Sequence, residues 1–203
     1  MLKILSFLLI LLSAASSQAA NRTILVYGDS LSAGFGIPLA QSWPALLDQR
    51  VRSSGWSVAN ASISGETTAG GHSRFAAALQ QFKPDIVILA LGANDGLRGL
   101  PVSNMQSNLQ SMITAAKAQN ARVMLAGIRL PPNYGPDYTR EFESSYSSLA
   151  KREKLPYLPF LLEPIAEDRA AFQADNLHPV ASAQPKILDH VWGTLKPMLG
   201  AKK

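Results

Sequence analysis

Residues 85–91, D-I-V-I-L-A-L, constrain this chain more than any other stretch. The run is apolar without alternation and stops at Gly92. A strand wetted on one face alternates polar and apolar side chains, whereas one covered on both faces does not. The run therefore predicts a central strand of a parallel sheet with helices on either side. The rest of the chain supplies the remaining pieces. Residues 23–27 (T-I-L-V-Y) form a strand ending at Gly28, residues 56–61 and 122–128 form two more, and residues 156–160 form a weak, proline-broken fifth. Between them lie helical patterns over 41–54, 67–82, 102–118, 137–154 and 184–199. The first presents Trp43, Leu46, Leu47 and Val51, with Ser42 as a cap candidate and Pro44 in the first turn. The last presents Leu188, Val191, Trp192, Leu195 and Leu199 at close to a 3.6-residue period. Strands alternating with helices predict an α/β chain, a three-layer α/β/α sandwich around about five parallel strands.

The first 19 residues are set apart from that pattern. Lys3 gives a short basic start, residues 4–12 are apolar except for Ser6, and Ser17-Gln18-Ala19 places small residues where a signal peptidase reads. The apolar core is too short for a spanning helix of about 20 residues, so residues 1–19 are expected to be a removed secretory signal. Residues 20–203 are then expected to form a single exported domain, periplasmic or secreted. The chain contains no cysteine, which excludes a disulfide scaffold, a cysteine nucleophile, Cys-ligated metal and a lipoprotein anchor. The formal charge of +5 is scattered, and the densest run, Lys151-Arg152-Glu153-Lys154, reads as a solvated helix face. No nucleic-acid partner is expected, although mild positive charge favours anionic substrates and transient contact with a membrane surface. With helices over both sheet faces, a monomer is expected.

In parallel sheets ligands bind beyond the carboxyl ends of the strands. Three such ends read Gly28-Asp29-Ser30-Leu31-Ser32, Ser62-Ile63-Ser64-Gly65-Glu66 and Gly92-Ala93-Asn94-Asp95-Gly96, all small, polar and glycine-bearing. Of three histidines, His190 falls on the last helix and His72 follows Gly70-Gly71, where a loop or capping role is expected. His178 sits in Asp175-Asn176-Leu177-His178-Pro179 between the last strand and the last helix. If the chain bends there, which Pro179 favours, Asp175 can hold one imidazole nitrogen and leave the other as a base. Asp and His also suit plain turns, so this spacing alone leaves both readings open. Ser30 is the candidate nucleophile. It lies outside the G-x-S-x-G elbow, since Ser32 stands where that motif needs glycine. Asn94, through its amide, and Gly65, through its backbone N–H, are candidate oxyanion donors. Asp29 and Asp95 read as loop-stabilising acceptors. No H-x-x-x-H pair or calcium-loop spacing occurs, so neither a metal nor another cofactor is expected.

Taken together, Gly28-Asp29-Ser30-Leu31-Ser32, Gly65, Gly92-x-Asn94-Asp95 and Asp175-x-x-His178 resemble, in order and spacing, the SGNH (GDSL) hydrolase family. The stretches 59–67, 94–99 and 128–135 look like its branch of bacterial thioesterase I/protease I/lysophospholipase enzymes and arylesterases. The chain departs from the usual pattern at Ser32, where the family has Thr, and at Asn176, where it often has Gly. The resemblance implies a flavodoxin-like sheet. It also implies a Ser30–His178–Asp175 triad and an oxyanion hole of Ser30 N–H, Gly65 N–H and the Asn94 amide. The reaction it implies is acyl transfer on esters or thioesters, with an acyl ester or lysophospholipid as substrate. Leu97, Leu100, Pro101, Val102 and Met105, with Leu130, Pro131, Pro132, Tyr134 and Tyr138, are candidates for an apolar substrate channel. Leu97, Leu100, Pro131 and Tyr134 are its expected lining; for Leu97 and Leu100, plain packing is an equal alternative. A carbohydrate O-acetyl esterase of the same fold, and a non-catalytic lipid- or sugar-binding protein, remain as alternatives.

Overall fold

The apolar run that ends at Gly92 forms the middle of the sheet. The computed structural model describes residues 22–200, and the segment read as an export signal lies outside them. The elements in chain order are β1 (Arg22–Gly28), α1 (Ser30–Ala33), α2 (Trp43–Val51), β2 (Trp56–Asn60), α3 (Thr68–Phe82), β3 (Ile86–Ala90), α4 (Ala93–Leu97), α5 (Val102–Ala118), β4 (Arg122–Ala126), α6 (Pro136–Glu153), β5 (Tyr157–Leu158) and α7 (Gln184–Gly200). All five strands are parallel, in the order β2-β1-β3-β4-β5. Helices α3, α5 and α6 pack on one face, α2 and α7 on the other. This is the three-layer, flavodoxin-like arrangement that the sequence pattern and the resemblance lead to expect.

Burial explains the strand sequences. Every residue of β3, and residues 24–27 of β1, lie in the core, because both strands have neighbours in the sheet and helices above and below. Strand β2 is an edge and is only partly covered. Strand β5 keeps just two residues. Pro156 and Pro159 flank it, and a proline gives no N–H to a ladder.

The helix ends show which local signals act. Thr67 caps α3 by accepting from the Gly70 N–H at 3.3 Å. Pro136 opens α6, and Lys154 closes it in the left-handed region. Ser42 does stand at the start of α2, but its hydroxyl donates to Leu39 O instead of capping. The Trp43 N–H is accepted by Gln184 Oε1 at 2.9 Å, which ties α2 to the first turn of α7. Helices α1 and α4 fall where the sequence shows glycine-bearing loops. Each is about one turn, too short for an apolar period to mark. His72 lies exposed inside α3, neither in a loop nor as a cap.

The order of strands creates a switch point. Chain leaving β1 goes to β2 on one side, whereas β3 lies on the other. Gly28 and Ala90 are register partners, so α1 and α4 start side by side just past the carboxyl ends. A crevice at such a point is where doubly wound sheets bind ligands.

Candidate functional site

Ser30 is the first residue of α1 and Asn94 the second of α4, so the sheet order alone sets them on opposite sides of the crevice. Asp29 shapes the first side. Its Oδ1 accepts from the Leu31 N–H at 3.0 Å and caps α1. Asp95 shapes the second. It is buried and accepts from the Thr68 N–H at 2.8 Å and the Thr68 hydroxyl at 2.6 Å. Both acids act as the loop-stabilising acceptors expected of them.

The third part comes from outside the sheet. Residues 171–180 form a short hairpin closed by Gln173 N–H to His178 O (2.8 Å) and Val180 N–H to Ala171 O (2.9 Å). At its tip Asp175 Oδ1 accepts from the N–H groups of Leu177 (2.9 Å) and His178 (3.0 Å). Asn176 occupies the left-handed region at φ 62°, a conformation that asparagine tolerates and glycine favours. The bend is thus made by Asp175 and Asn176, while Pro179 sits after it in a bridge to Phe172. It brings Asp175 Oδ2 to 2.7 Å from His178 Nδ1. Hydrogen bonds from the His178 backbone, the His178 ring and the Leu177 backbone hold the Asp175 carboxyl down at about 2. An ionised Asp175 keeps the proton on Nδ1. The other nitrogen, Nε2, then accepts, and it lies 2.8 Å from Ser30 Oγ, whose hydroxyl donates.

Gly65 and Asn94 face the same space. One Asn94 amide hydrogen goes to Glu66 O at 2.9 Å, which leaves the second for a ligand. Gly65 has φ 79° and a Cβ there would meet nothing within 4 Å, so conformation, not space, demands glycine. Its carbonyl accepts from Arg98 Nη2 at 3.0 Å. Ser30, Gly65, Asn94 and His178 line one cavity of about 220 Å³, together with Leu31, Phe35, Ala93, Leu97 and Leu177.

A second cavity of about 380 Å³ shares Leu31, Ala93, Leu97 and Leu177 with the first. Beyond these it is lined mainly by Ile128, Leu130, Pro131, Phe160 and Leu162, with Arg129 and Ala166. Leu97 and Pro131 therefore line the apolar space, but Leu100 and Tyr134 do not. Leu100 is exposed past the end of α4, and its carbonyl accepts from the Tyr138 hydroxyl. The Tyr134 hydroxyl is spent on Leu97 O at 3.0 Å, so it braces the wall from outside. Val102 and Met105 are core residues.

One neighbour was not evident from sequence reasoning. The half-exposed Phe35 ring lies over the His178 imidazole, with centroids 4.3 Å apart. A large apolar residue between Gly34 and Gly36 in a loop was the available signal. Among the described residues no group of three or more His, Asp or Glu side chains is arranged to hold a metal ion.

The similarities to known proteins follow this geometry. Residues 26–184 match the family model described as GDSL-like Lipase/Acylhydrolase family. Esterase TesA of Pseudomonas aeruginosa is 48% identical over 186 residues, 91% of this chain and 92% of that protein. Thioesterase 1/protease 1/lysophospholipase L1 of Escherichia coli is 41% identical, over 96% of this chain and 93% of that one. Among solved structures, the psychrotrophic esterase EstA from Pseudoalteromonas superposes with a TM-score of 0.84 at 40% identity, covering 89% of this chain and all of that one. The match spans both the sheet and the segments at its carboxyl ends, and the chain belongs to the GDSL-like lipase/acylhydrolase family.

Proposed function

We propose that this chain is a serine esterase that hydrolyses carboxylic esters and thioesters of acyl chains through Ser30, His178 and Asp175. The observation that carries the reading is the hydrogen-bonded line Ser30 Oγ, His178 Nε2, His178 Nδ1, Asp175 Oδ2, opening onto an apolar cavity. A binding protein needs no nucleophile held against a base.

In the proposed reaction Ser30 Oγ bonds to the carbonyl carbon while its proton passes to His178 Nε2. Asp175 stabilises the imidazolium that forms. The negative oxygen is met by the N–H groups of Ser30 and Gly65 and by the free Asn94 amide hydrogen. The intermediate collapses, the bond to the leaving group breaks, and His178 returns the proton to that group. Water then attacks the acyl-enzyme by the same route and restores Ser30. The acyl chain passes Leu31, Ala93, Leu97 and Leu177 into the larger cavity. Pro131 is part of its wall.

A fatty ester or lysophospholipid fits that apolar space. The exposed Phe35, Ile63 and Leu177 support transient contact of the crevice with a lipid surface. Helices over both sheet faces support a monomer. The pattern of residues 1–19 supports export of the remaining chain as one domain; among the described residues no helix is long and apolar enough to cross a membrane.

The test is initial rates on nitrophenyl esters from acetyl to long-chain acyl, with Ser30→Ala alongside. A Ser30-dependent optimum at medium or long chains is expected. An optimum at acetyl would move the substrate toward carbohydrate esters, and rates unchanged in Ser30→Ala would remove the nucleophile.

A further inference from the structure

His178 is carried by an exposed hairpin, yet it must meet Ser30 on a helix packed against the sheet. The tip of that hairpin, residues 174–177, is exposed, so packing does little to hold it. The Gln173 side chain joins the hairpin to the segment after Ser30 by hydrogen bonds. Gln173 Nε2 donates to Phe35 O at 2.8 Å and to Pro179 O at 3.1 Å, while its backbone N–H holds His178 O. Both side-chain partners are carbonyl oxygens, so only an NH₂ group can face them. On the other side, Gln173 Oε1 lies against Gly36, where a Cβ would come within 2.2 Å. Gly36 leaves the space that the Gln173 amide occupies. The Phe35 ring, held at its own carbonyl, in turn covers the His178 imidazole.

We propose that Gln173 is a positioning residue for the reaction, a clasp that sets His178 against Ser30 by holding Phe35 O and Pro179 O together. This rests on the esterase reading above. Its physical content is distance. The two ends of the Ser30–His178 hydrogen bond lie 148 positions apart in the chain. A misplacement of about 1 Å in reacting groups costs on the order of 10²-fold in rate.

The experiment uses the chain with p-nitrophenyl butyrate as substrate. Gln173→Met keeps the length and removes both donated hydrogen bonds. It should lower kcat by about 10- to 100-fold, with KM changed less than twofold and little change in Tm. Gln173→Glu should be slower still, because a carboxylate would face two carbonyl oxygens. If Gln173→Met melts well below the parent, Gln173→Asn keeps the amide, falls one methylene short of Phe35 O, and should show the same split. The deciding readout is the His178→Ala background. There the base is gone and nothing remains to be positioned, so Gln173→Met should cost nothing further.

A wild-type kcat in Gln173→Met would overturn the proposal. So would an equal loss in both backgrounds, which would mean a general disturbance of the fold. Full activity in Ser30→Ala overturns the esterase reading itself, whereas an inactive Ser30→Ala with an unimpaired Gln173→Met overturns the clasp alone.

Discussion

Asp29 is only 1% exposed, and its two oxygens have different fates. Oδ1 caps α1, and Oδ2 has no hydrogen-bond partner among the described residues. Burial pushes the carboxyl from an ordinary 3.8 up to about 7, outweighing the hydrogen bonds from the Leu31 and Asp29 backbone that oppose it. The sign of the consequence is set by linkage. Between pH 4 and 7 the unfolded chain has lost this proton and the folded chain keeps it. Folding therefore takes up a proton, and this group's contribution to stability declines as pH rises through that window. Asp29→Asn has no proton to lose. Urea unfolding at pH 4, 5.5 and 7 should show the parent losing ground to Asp29→Asn by up to about 1.4 kcal/mol per pH unit. A difference that stays flat would mean that Asp29 is ionised throughout. Asp175 behaves oppositely. Held at about 2, its contribution is full above the ordinary 3.8 and is lost only as pH falls from there toward 2. At this scale the sequence was partly legible. Asp175-x-x-His178 could be picked out because both partners lie in one turn. The identity of the bending residue was harder to read, because Pro179 is the more obvious bend signal and asparagine at 176 only permits the left-handed conformation without requiring it. Gln173 and Phe35 meet across 138 positions, which no local pattern reports.

Among the elements, the short helix α4 owes its placement to its neighbours, since five residues have little helical stability of their own. Asp95 in its first turn reaches across to the start of α3, where the Thr68 N–H and hydroxyl both donate to it. The same Thr68 hydroxyl accepts from Asn108 Nδ2 on α5 at 3.1 Å. One hydroxyl thus joins three helices behind the segment that carries Asn94. Thr68→Val keeps the shape and removes the donor from a buried carboxylate, at a cost of about 1.5–3 kcal/mol. For a chain of this size that corresponds to a fall in Tm of about 3–12 °C. A calorimetric Tm within a degree of the parent would show that Asp95 is satisfied without it. The long helices and the central strands were legible because their apolar periods extend over many residues. The one-turn helices α1 and α4 were not, because their conformation depends on caps and on packing contacts made elsewhere in the chain.

At the scale of the molecule, the strand alternation implied three layers but not their order. The order matters most for function, because 2-1-3-4-5 places the switch point between β1 and β3 and so opens the crevice beside Ser30. It also aligns two adjoining cavities. The smaller holds Ser30, Gly65, Asn94 and His178, and the larger, toward β4 and β5, is lined by Leu130, Phe160, Leu162 and Ala166 without Ser30. On the proposed reading an acyl chain passes the shared Leu31, Ala93, Leu97 and Leu177 before it enters the rest of the larger cavity, so longer chains are expected to reach Ala166. This separation makes chain length testable apart from chemistry. Ala166→Phe adds a ring to the lining of the larger cavity and leaves the hydrogen-bonded line untouched. Its kcat/KM on acetyl and butyryl nitrophenyl esters should match the parent, whereas on octanoyl and longer esters it should fall about 10-fold or more, since each methylene denied burial forfeits about 0.8 kcal/mol. An equal loss on every ester would mean that Ala166 affects the site as a whole. No loss on any would mean that the chain leaves the smaller cavity by another route.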